Sequence, residues 1–319
     1  MERIPVYLIS GFLGAGKTTY LNHFIRSRAP KRIFVIENEV GKVNVDSSLV
    51  FSGVEEVLEL TAGCLCCSLN DELLDVLEEV SARRSEFDEL VIETTGIADP
   101  GSIAKVFLGI PGVERIFELR HIVAVVDAGQ VLHWLEETDE ARRQIAIADF
   151  LLLNKTDLVD ETELPTIRKA LKGINPYAEL YEGTQGQFPI GEYIDKRPLA
   201  ASGMERLQEE LEGHSHHHHD ISTFTLEFER PFVLEGLGYE LVRLLQLYSH
   251  QVYRVKGIIA VQNLATKVIL QSVRDNLILT DGSAWELDDH RISRVVVIGK
   301  DLQQAPIEKL FKRHLAANS

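Results

Sequence analysis

The stretch GFLGAGKT at Gly11–Thr18 decides the fold of the first half of the chain. It fits the phosphate-binding pattern G-x-x-x-x-G-K-[ST], which belongs between a strand and a helix. The apolar run Val6–Ile9 precedes it, and residues 19–25 carry apolar side chains at helical spacing. In such a loop, backbone N–H groups surround a polyphosphate, the lysine neutralises the β- and γ-phosphates, and the threonine hydroxyl binds Mg²⁺. The sequence therefore predicts a nucleoside triphosphate site.

A second motif indicates which base is bound. The apolar run Phe150–Leu153 reads as a buried strand and ends in Asn154–Asp157, which fits N-K-x-D. Guanine presents two adjacent N–H donors, and the carboxylate of Asp157 could accept both. Adenine has no such pair and would leave a buried carboxylate without a partner, which is a strong basis for discrimination. We therefore expect GTP rather than ATP.

All three cysteines of the chain, Cys64, Cys66 and Cys67, lie within four residues. The N-terminal apolar run is too short for a secretory signal, and no segment approaches the length of a membrane span. These observations predict a cytoplasmic, reducing setting, in which clustered thiols are more often metal ligands than disulfides. Zn²⁺ is the default metal for such ligands. The alternative interpretation is that they are three small buried residues in a tight turn.

Taken together, five motifs resemble those of the CobW-type GTPases, with the YjiA-like branch nearest. These are metal-handling P-loop proteins related to the nickel-insertion GTPases of urease and hydrogenase. The similarity extends over essentially the whole chain, and the C-x-C-C element in this order is specific to the branch. The segments that carry the resemblance are Gly11–Thr18, Glu37–Gly41, Gly63–Cys67, Glu93–Gly96 and Asn154–Asp157.

The resemblance implies roles for individual residues. Glu93 would act on Mg²⁺ or its water shell, and the Gly96 backbone N–H would sense the γ-phosphate. Glu37 would join the thiols as an oxygen ligand of the metal, Glu39 is a less favoured ligand, and Asp46 is a further candidate on the Mg²⁺ side. The predicted nucleotide contacts are Gly11, Gly14, Ala15, Gly16, Lys17, Thr18, Thr19, Asn154, Lys155 and Asp157.

A histidine tract forms a third unusual feature of the sequence. Imidazoles at this density bind Zn²⁺, Ni²⁺ or Co²⁺, and the tract is predicted to recruit metal. A solvated spacer or an affinity tag is the alternative, although tags normally lie at a terminus. The tract contains His214, His216, His217, His218 and His219.

The pattern of elements predicts two domains and a linker. Up to residue 195, apolar strands alternate with helices, which is typical of an α/β P-loop NTPase fold: a parallel sheet with helices on both faces. Strands are expected near residues 4–10, 32–37, 54–59, 88–92, 121–127 and 149–153. Residues 196–220 are predicted to form a linker. Residues 221–319 are predicted to form a small α+β domain that resembles the CobW C-terminal domain. We expect this domain to serve client docking or dimerisation.

The resemblance implies a GTP-dependent metallochaperone that delivers zinc, or Co²⁺ or Ni²⁺, to a client metalloprotein. Slow intrinsic hydrolysis is expected, because no motif places an arginine at the phosphates. A metal buffer or sensor tuned by nucleotide and a P-loop small-molecule kinase are the alternatives. The net charge of −16 argues against nucleic-acid and anionic-membrane partners. A monomer and a homodimer both fit the sequence.

Overall fold

The computed structural model describes residues 2–39, 57–61, 69–195, 216–218, 221–285 and 290–317. Side chains are described in these ranges except at 38–39, 57–61, 69–72 and 216–218. The chain divides into two compact units. The first comprises Met1–Lys169 and Ala178–Pro198, and the second comprises Ala170–Tyr177 and Leu199–Ser319.

Apolar runs bounded by turn residues form a parallel sheet in the first unit. Within the described residues it has seven strands in the order β3-β2-β4-β1-β5-β6-β7. The strands are β1 (Ile4–Gly11), β2 (Ile33–Glu39), β3 (Val57–Thr61), β4 (Glu89–Glu93), β5 (Phe117–Asp127), β6 (Phe150–Asn154) and β7 (Glu179–Glu182). Since β1 lies at the centre, its carboxyl end meets those of β4 and β5. This is the edge at which ligands bind in open α/β sheets.

Where the connections between consecutive strands are described, from β1 to β2 and from β3 to β7, they contain helices, as parallel pairing favours. Those described are α1 (Lys17–Ser27), α2 (Leu69–Ala82), α3 (Pro100–Gly109), α4 (Pro111–Ile116), α5 (Val131–Glu137), α6 (Asp139–Ile147), α7 (Leu164–Ile174) and α8 (Ile190–Tyr193).

One face of the sheet packs on α1. Tyr20, Leu21 and Phe24 of this helix are fully buried and belong to one core cluster with Val35 of β2 and Val91 of β4. Strand side chains alternate between the two faces of a sheet. The residue two positions after each of these valines, at the carboxyl ends of β2 and β4, therefore points to the α1 side as well. The core thereby determines which side chains reach the end of the phosphate loop.

The second unit contains an antiparallel sheet. The described strands follow the order β12-β11-β10-β13-β9-β8, and α9 (Leu234–Leu247) and α10 (Gln304–Lys312) pack on it. Its strands are β8 (His216–His218), β9 (Ile221–Phe228), β10 (Val252–Ile259), β11 (Thr266–Val273), β12 (Asn276–Ala284) and β13 (Ser293–Lys300). The leucine stripe Leu237, Leu241, Leu244 and Leu245 of α9 supplies much of the core, as its helical spacing predicts.

The fold class predicted from the sequence is confirmed, and two details differ. The strand β7 at the edge of the parallel sheet was not expected, because Glu179–Glu182 is polar and short and carries no strand pattern. The segment assigned to a linker includes β8, which pairs with Ile221–Thr223 of β9. Among the described residues, no helix is long and apolar enough to cross a membrane.

Candidate functional site

The glycine loop between β1 and α1 leaves the start of the helix open to a ligand. Gly16 precedes α1 with φ 98°, in the left-handed region that favours glycine. Among the described residues, no side chain caps this helix, and its first turn contains no acidic residue. The N–H groups of its first turn and the positive end of its dipole therefore favour an anion.

A cleft of about 800 Å³ opens at this loop. Its walls are the loop and first turns of α1, the carboxyl ends of β2 and β4, and the segment after β7, with Gln185 and Gln187. Asn22, His23 and Arg26 extend the wall along α1. A volume of this size is typical of a small-molecule site, and the polar side chains in its wall, Lys17, Thr18 and Thr19 among them, suit a phosphorylated ligand.

Oxygen ligands for a cation meet inside the cleft. The Thr18 hydroxyl donates to Glu93 Oε1 over 3.0 Å, although the two residues are 75 positions apart. Glu93 ends β4 and is 9% exposed. Lys17, also 9% exposed, directs its Nζ to the Phe12 carbonyl oxygen at 3.4 Å. A hydroxyl and a carboxylate side by side are the donor set that Mg²⁺ prefers, so the residues present fit this ion.

Gly96 lies directly against the phosphate loop. A Cβ built at this position would be 2.6 Å from the backbone nitrogen of Leu13, so a larger residue would push the two segments apart. Gln144 of α6 donates to the carbonyl oxygens of Gly96 and Ala98, each over 3.1 Å. The segment after β4 is thus held between the phosphate loop and α6.

Glu37 of β2 lines the same cleft as Thr18 and Glu93. It is 8% exposed and lies in register with Glu93 on β4 and with Glu59 on β3. Neighbouring residues in register share a face of a parallel sheet. Glu37 therefore faces the nucleotide side of the sheet, and a metal bound to its carboxylate would lie close to the proposed phosphate site.

The base motif at the end of β6 also braces the phosphate loop. Asn154 donates from Nδ2 to the Ala15 carbonyl oxygen over 2.9 Å and accepts at Oδ1 from the Gly186 N–H over 3.0 Å. Lys155 donates from Nζ to the Gly14 carbonyl oxygen over 2.8 Å and pairs with Asp127 Oδ2 at 2.8 Å. Both side chains are therefore engaged with protein groups that shape the site.

Asp157 differs from the two residues before it. It lies in the one-turn helix Thr156–Leu158 after β6, and its side chain is exposed. The sequence predicts guanine binding by a buried carboxylate, whereas the structure leaves this one exposed at the edge of the sheet, where it is accessible to a base.

Sequence reasoning missed several side chains of the site. Asp127 follows the apolar run Ile122–Val126 of β5, and that position could have drawn attention to it. Gln144 and Gly186 carry no local signal, because each acts on a segment more than thirty residues away. Gln185 and Gln187 follow the strand that was not expected.

The predicted metal ligands are described only in part. Cys64, Cys66, Cys67, Asp46, His214 and His219 lie outside the described residues. The backbone of Glu39 ends β2, and His216–His218 form β8, but the side chains of these four residues also lie outside the described part. Among the side chains that are described, no group of three or more His, Cys, Asp or Glu could hold a metal ion.

Comparison with known families agrees with this geometry. Residues 5–182 match the model for the CobW/HypB/UreG nucleotide-binding domain. The chain belongs to the CobW/HypB/UreG family. Residues 221–315 match the cobalamin synthesis protein CobW C-terminal domain, so both units have counterparts in proteins of the family.

Named relatives share this full-length organisation. The chain is 31% identical to a protein named zinc chaperone CobW of Pseudomonas aeruginosa, over 99% of its own length and 92% of the relative's. It is likewise 31% identical to zinc chaperone YjiA of Escherichia coli, over 98% of both chains. The crystal structure titled Zn(II)-bound YjiA GTPase from E. coli matches with a TM-score of 0.73 and 27% identity, over 99% of this chain and 100% of that one.

Proposed function

We propose that this protein is a GTPase metallochaperone that binds Zn²⁺ through Cys64, Cys66 and Cys67 and transfers it to a client metalloprotein. The observation that carries the proposal is the pairing of Thr18 with Glu93 in a cleft that Glu37 also lines. This arrangement supports a nucleotide site with a predicted metal ligand beside it. The names of the relatives, zinc chaperones CobW and YjiA, support the assignment of the metal.

The nucleotide half of the proposal rests on the glycine loop. Lys17 and the N–H groups at the start of α1 would bind the β- and γ-phosphates, and Gly96 would meet the terminal phosphate. Thr18 and Glu93 would hold Mg²⁺, which supplies charge neutralisation for phosphate transfer to water. Turnover should be slow without a client.

Selection of guanine would come from Asp157. Its carboxylate is exposed next to residues that brace the phosphate loop, where it can accept the two N–H donors of guanine. Asn154 and Lys155 would act mainly by fixing the loop, because their polar atoms already bond to Ala15 and Gly14.

The metal half rests on the position of Glu37. Its carboxylate faces the cleft, so a Zn²⁺ held by Glu37 and the cysteines would lie near the terminal phosphate. Loss of that phosphate would change the local charge and the geometry of the ligands, and with them the affinity for the metal. Release on hydrolysis follows from this coupling. The histidine tract, including His214 and His219, would recruit the ion before transfer.

The first test compares hydrolysis of GTP and ATP by the full chain, with and without Zn²⁺. We expect turnover of GTP only, with at least a hundredfold loss in Lys17→Ala, because one buried cation neutralises the phosphates. Lys169→Ala, which removes an exposed lysine on α7, is the matched control and should leave the rate unchanged. Equal hydrolysis of ATP would refute the assignment of guanine. Transfer of the phosphate to a small molecule would favour a kinase.

The second test measures the affinity for Zn²⁺ with a non-hydrolysable GTP analogue and with GDP. We expect the two affinities to differ at least tenfold and Cys66→Ser to weaken both. His250→Ala, an exposed histidine outside the tract, should change neither. Equal affinities in the two nucleotide states would contradict both delivery driven by hydrolysis and a metal buffer tuned by nucleotide. A pulldown with the analogue-bound form, followed by metal analysis, then tests whether a client is captured.

A further inference from the structure

A buried amide on α6 holds the segment that follows β4. Gln144 is 2% exposed, and its Nε2 donates to the carbonyl oxygens of Gly96 and Ala98, each over 3.1 Å. Its neighbours Ala141 and Ile145 are buried apolar residues of the same helix. A buried amide needs hydrogen-bond partners, so the two carbonyl groups and Gln144 fix one another.

The helix that carries Gln144 is firmly anchored. Thr138 caps it by accepting from the Ala141 N–H, and the buried Arg142 donates to the carbonyl oxygens of Leu135 and Glu136 and pairs with Asp139. A functional group on such a rigid element holds its partner in a defined position. Gln144 can therefore determine where the segment lies rather than follow it.

The other side of the same segment presses on the phosphate loop. The space between Gly96 and the backbone of Leu13 does not admit a Cβ. Gly96 and Leu13 both line the cleft in which Thr18 meets Glu93. Under the proposed function, the β-phosphate would contact the loop at residues 14–17, and the Gly96 N–H would meet the terminal phosphate.

We propose that Gln144 is a positioning residue for the terminal phosphate. It fixes the Gly96 peptide against Leu13 and thereby sets how strongly the site prefers GTP over GDP. The inference rests on the proposed guanine-nucleotide site and adds the residue that controls discrimination between its two states. Since GDP lacks the phosphate that reaches Gly96, removal of the two hydrogen bonds from Gln144 affects GTP selectively.

The test uses Gln144→Met in the full chain, because methionine keeps the length and removes both donors. The dissociation constants of GTPγS and GDP are measured by calorimetry in the presence of Mg²⁺. We expect GTPγS to bind about tenfold more weakly, which corresponds to about 1.4 kcal/mol, and GDP to stay within about twofold. Glu137→Met, an exposed change on the neighbouring α5, is the control and should alter neither constant.

A second variant approaches the same contact from the other side. Gly96→Ala forces the segment away from Leu13, and we expect the same selective loss of GTPγS affinity. Faster hydrogen exchange at residues 95–98 in Gln144→Met would accompany it. An equal loss for both nucleotides, or unchanged binding of GTPγS in the two variants, would overturn the role of Gln144. Failure of the wild-type protein to bind either nucleotide would instead refute the proposed function.

Discussion

Substitution of Asn154 by alanine tests whether this residue holds the site together. Its side chain is 2% exposed and joins the Ala15 carbonyl oxygen of the phosphate loop to the Gly186 N–H of the segment after β7. Gly16 adopts its positive φ next to the same amide, with the position of a Cβ only 2.5 Å from Asn154 Nδ2. Alanine removes both hydrogen bonds and leaves two buried backbone groups without their partners.

The magnitude follows from these contacts. Each hydrogen bond lost to a buried backbone group costs about 1–2 kcal/mol, because the remaining group is not returned to water. Two such losses predict that the first unit is destabilised by about 2–4 kcal/mol. The loop that relaxes would contact phosphates common to GTP and GDP, so both affinities should fall by a similar factor of about ten.

The assay is urea unfolding in a Trp285→Phe background. The chain has two tryptophans, and Trp134 lies in the first unit with its ring 4.5 Å from that of Phe12. Its fluorescence therefore reports on the unit that contains the site. At a slope of about 2–3 kcal/mol per molar urea, the midpoint should fall by roughly 1 M.

Asp157→Ala provides the matched control, because this exposed residue belongs to the same motif. We expect it to keep the midpoint of the wild type and to lose the preference for guanine over adenine. A midpoint in Asn154→Ala within about 0.2 M of the wild type would refute the bracing role, as would a loss of affinity confined to one nucleotide.

Three further predictions follow from charged contacts of the first unit. Asp127→Asn weakens the ion pair that holds Lys155 on the phosphate loop, and calorimetry should show GDP affinity about two- to fivefold lower, as expected for a partly exposed pair. Arg28→Ala leaves the fully buried Glu89 with Lys31 alone, so urea unfolding should show a loss of about 3 kcal/mol, partly restored by Glu89→Gln. Hydrogen bonds from Arg28 hold the pKa of Asp195 below its usual range, so its stabilising effect is present above about pH 4 and is lost as the pH falls. We expect wild type and Asp195→Asn to differ in stability by less than about 1 kcal/mol, because this carboxylate is largely exposed. This difference should therefore shrink when unfolding is measured at progressively lower pH. A constant difference would contradict the reasoning.

Much of the fold could be predicted because its signals are local. The phosphate loop requires glycine at particular backbone angles, and the apolar runs of β1, β4 and β6 are short and bounded by turn residues, which favours buried strands. Glu93 was named because its segment resembles a family motif, and it also ends such a run. The polar edge strand β7 was missed for the opposite reason, since its pairing with β6 provides the stability that its own sequence lacks.

The contacts that shape the site could not be predicted in the same way. Gln144 reaches a segment 48 residues earlier, and Asn154 reaches Ala15 across 139 residues. Such pairs depend on which strands lie side by side and on the packing of α6. Neither strand order nor helix packing produces a periodic pattern in the sequence from which the pairs could be predicted. Asn154 also shows what a motif leaves out, because its pattern predicts contact with the base, and the structure adds hydrogen bonds from its amide to the backbone of Ala15 and Gly186.

The amino-acid sequence by itself determined that this chain folds around a phosphate loop, since glycine angles, apolar periodicity and motif order act over a few residues. Only the tertiary structure decided that Glu37 and Glu93 share a face of the sheet, and that Asn154, Lys155 and Gln144 hold the loop and the segment beside it. The physical reason is that a hydrogen bond or shared face between distant residues exists only after the strands have taken their order, β2-β4-β1-β5-β6, around β1.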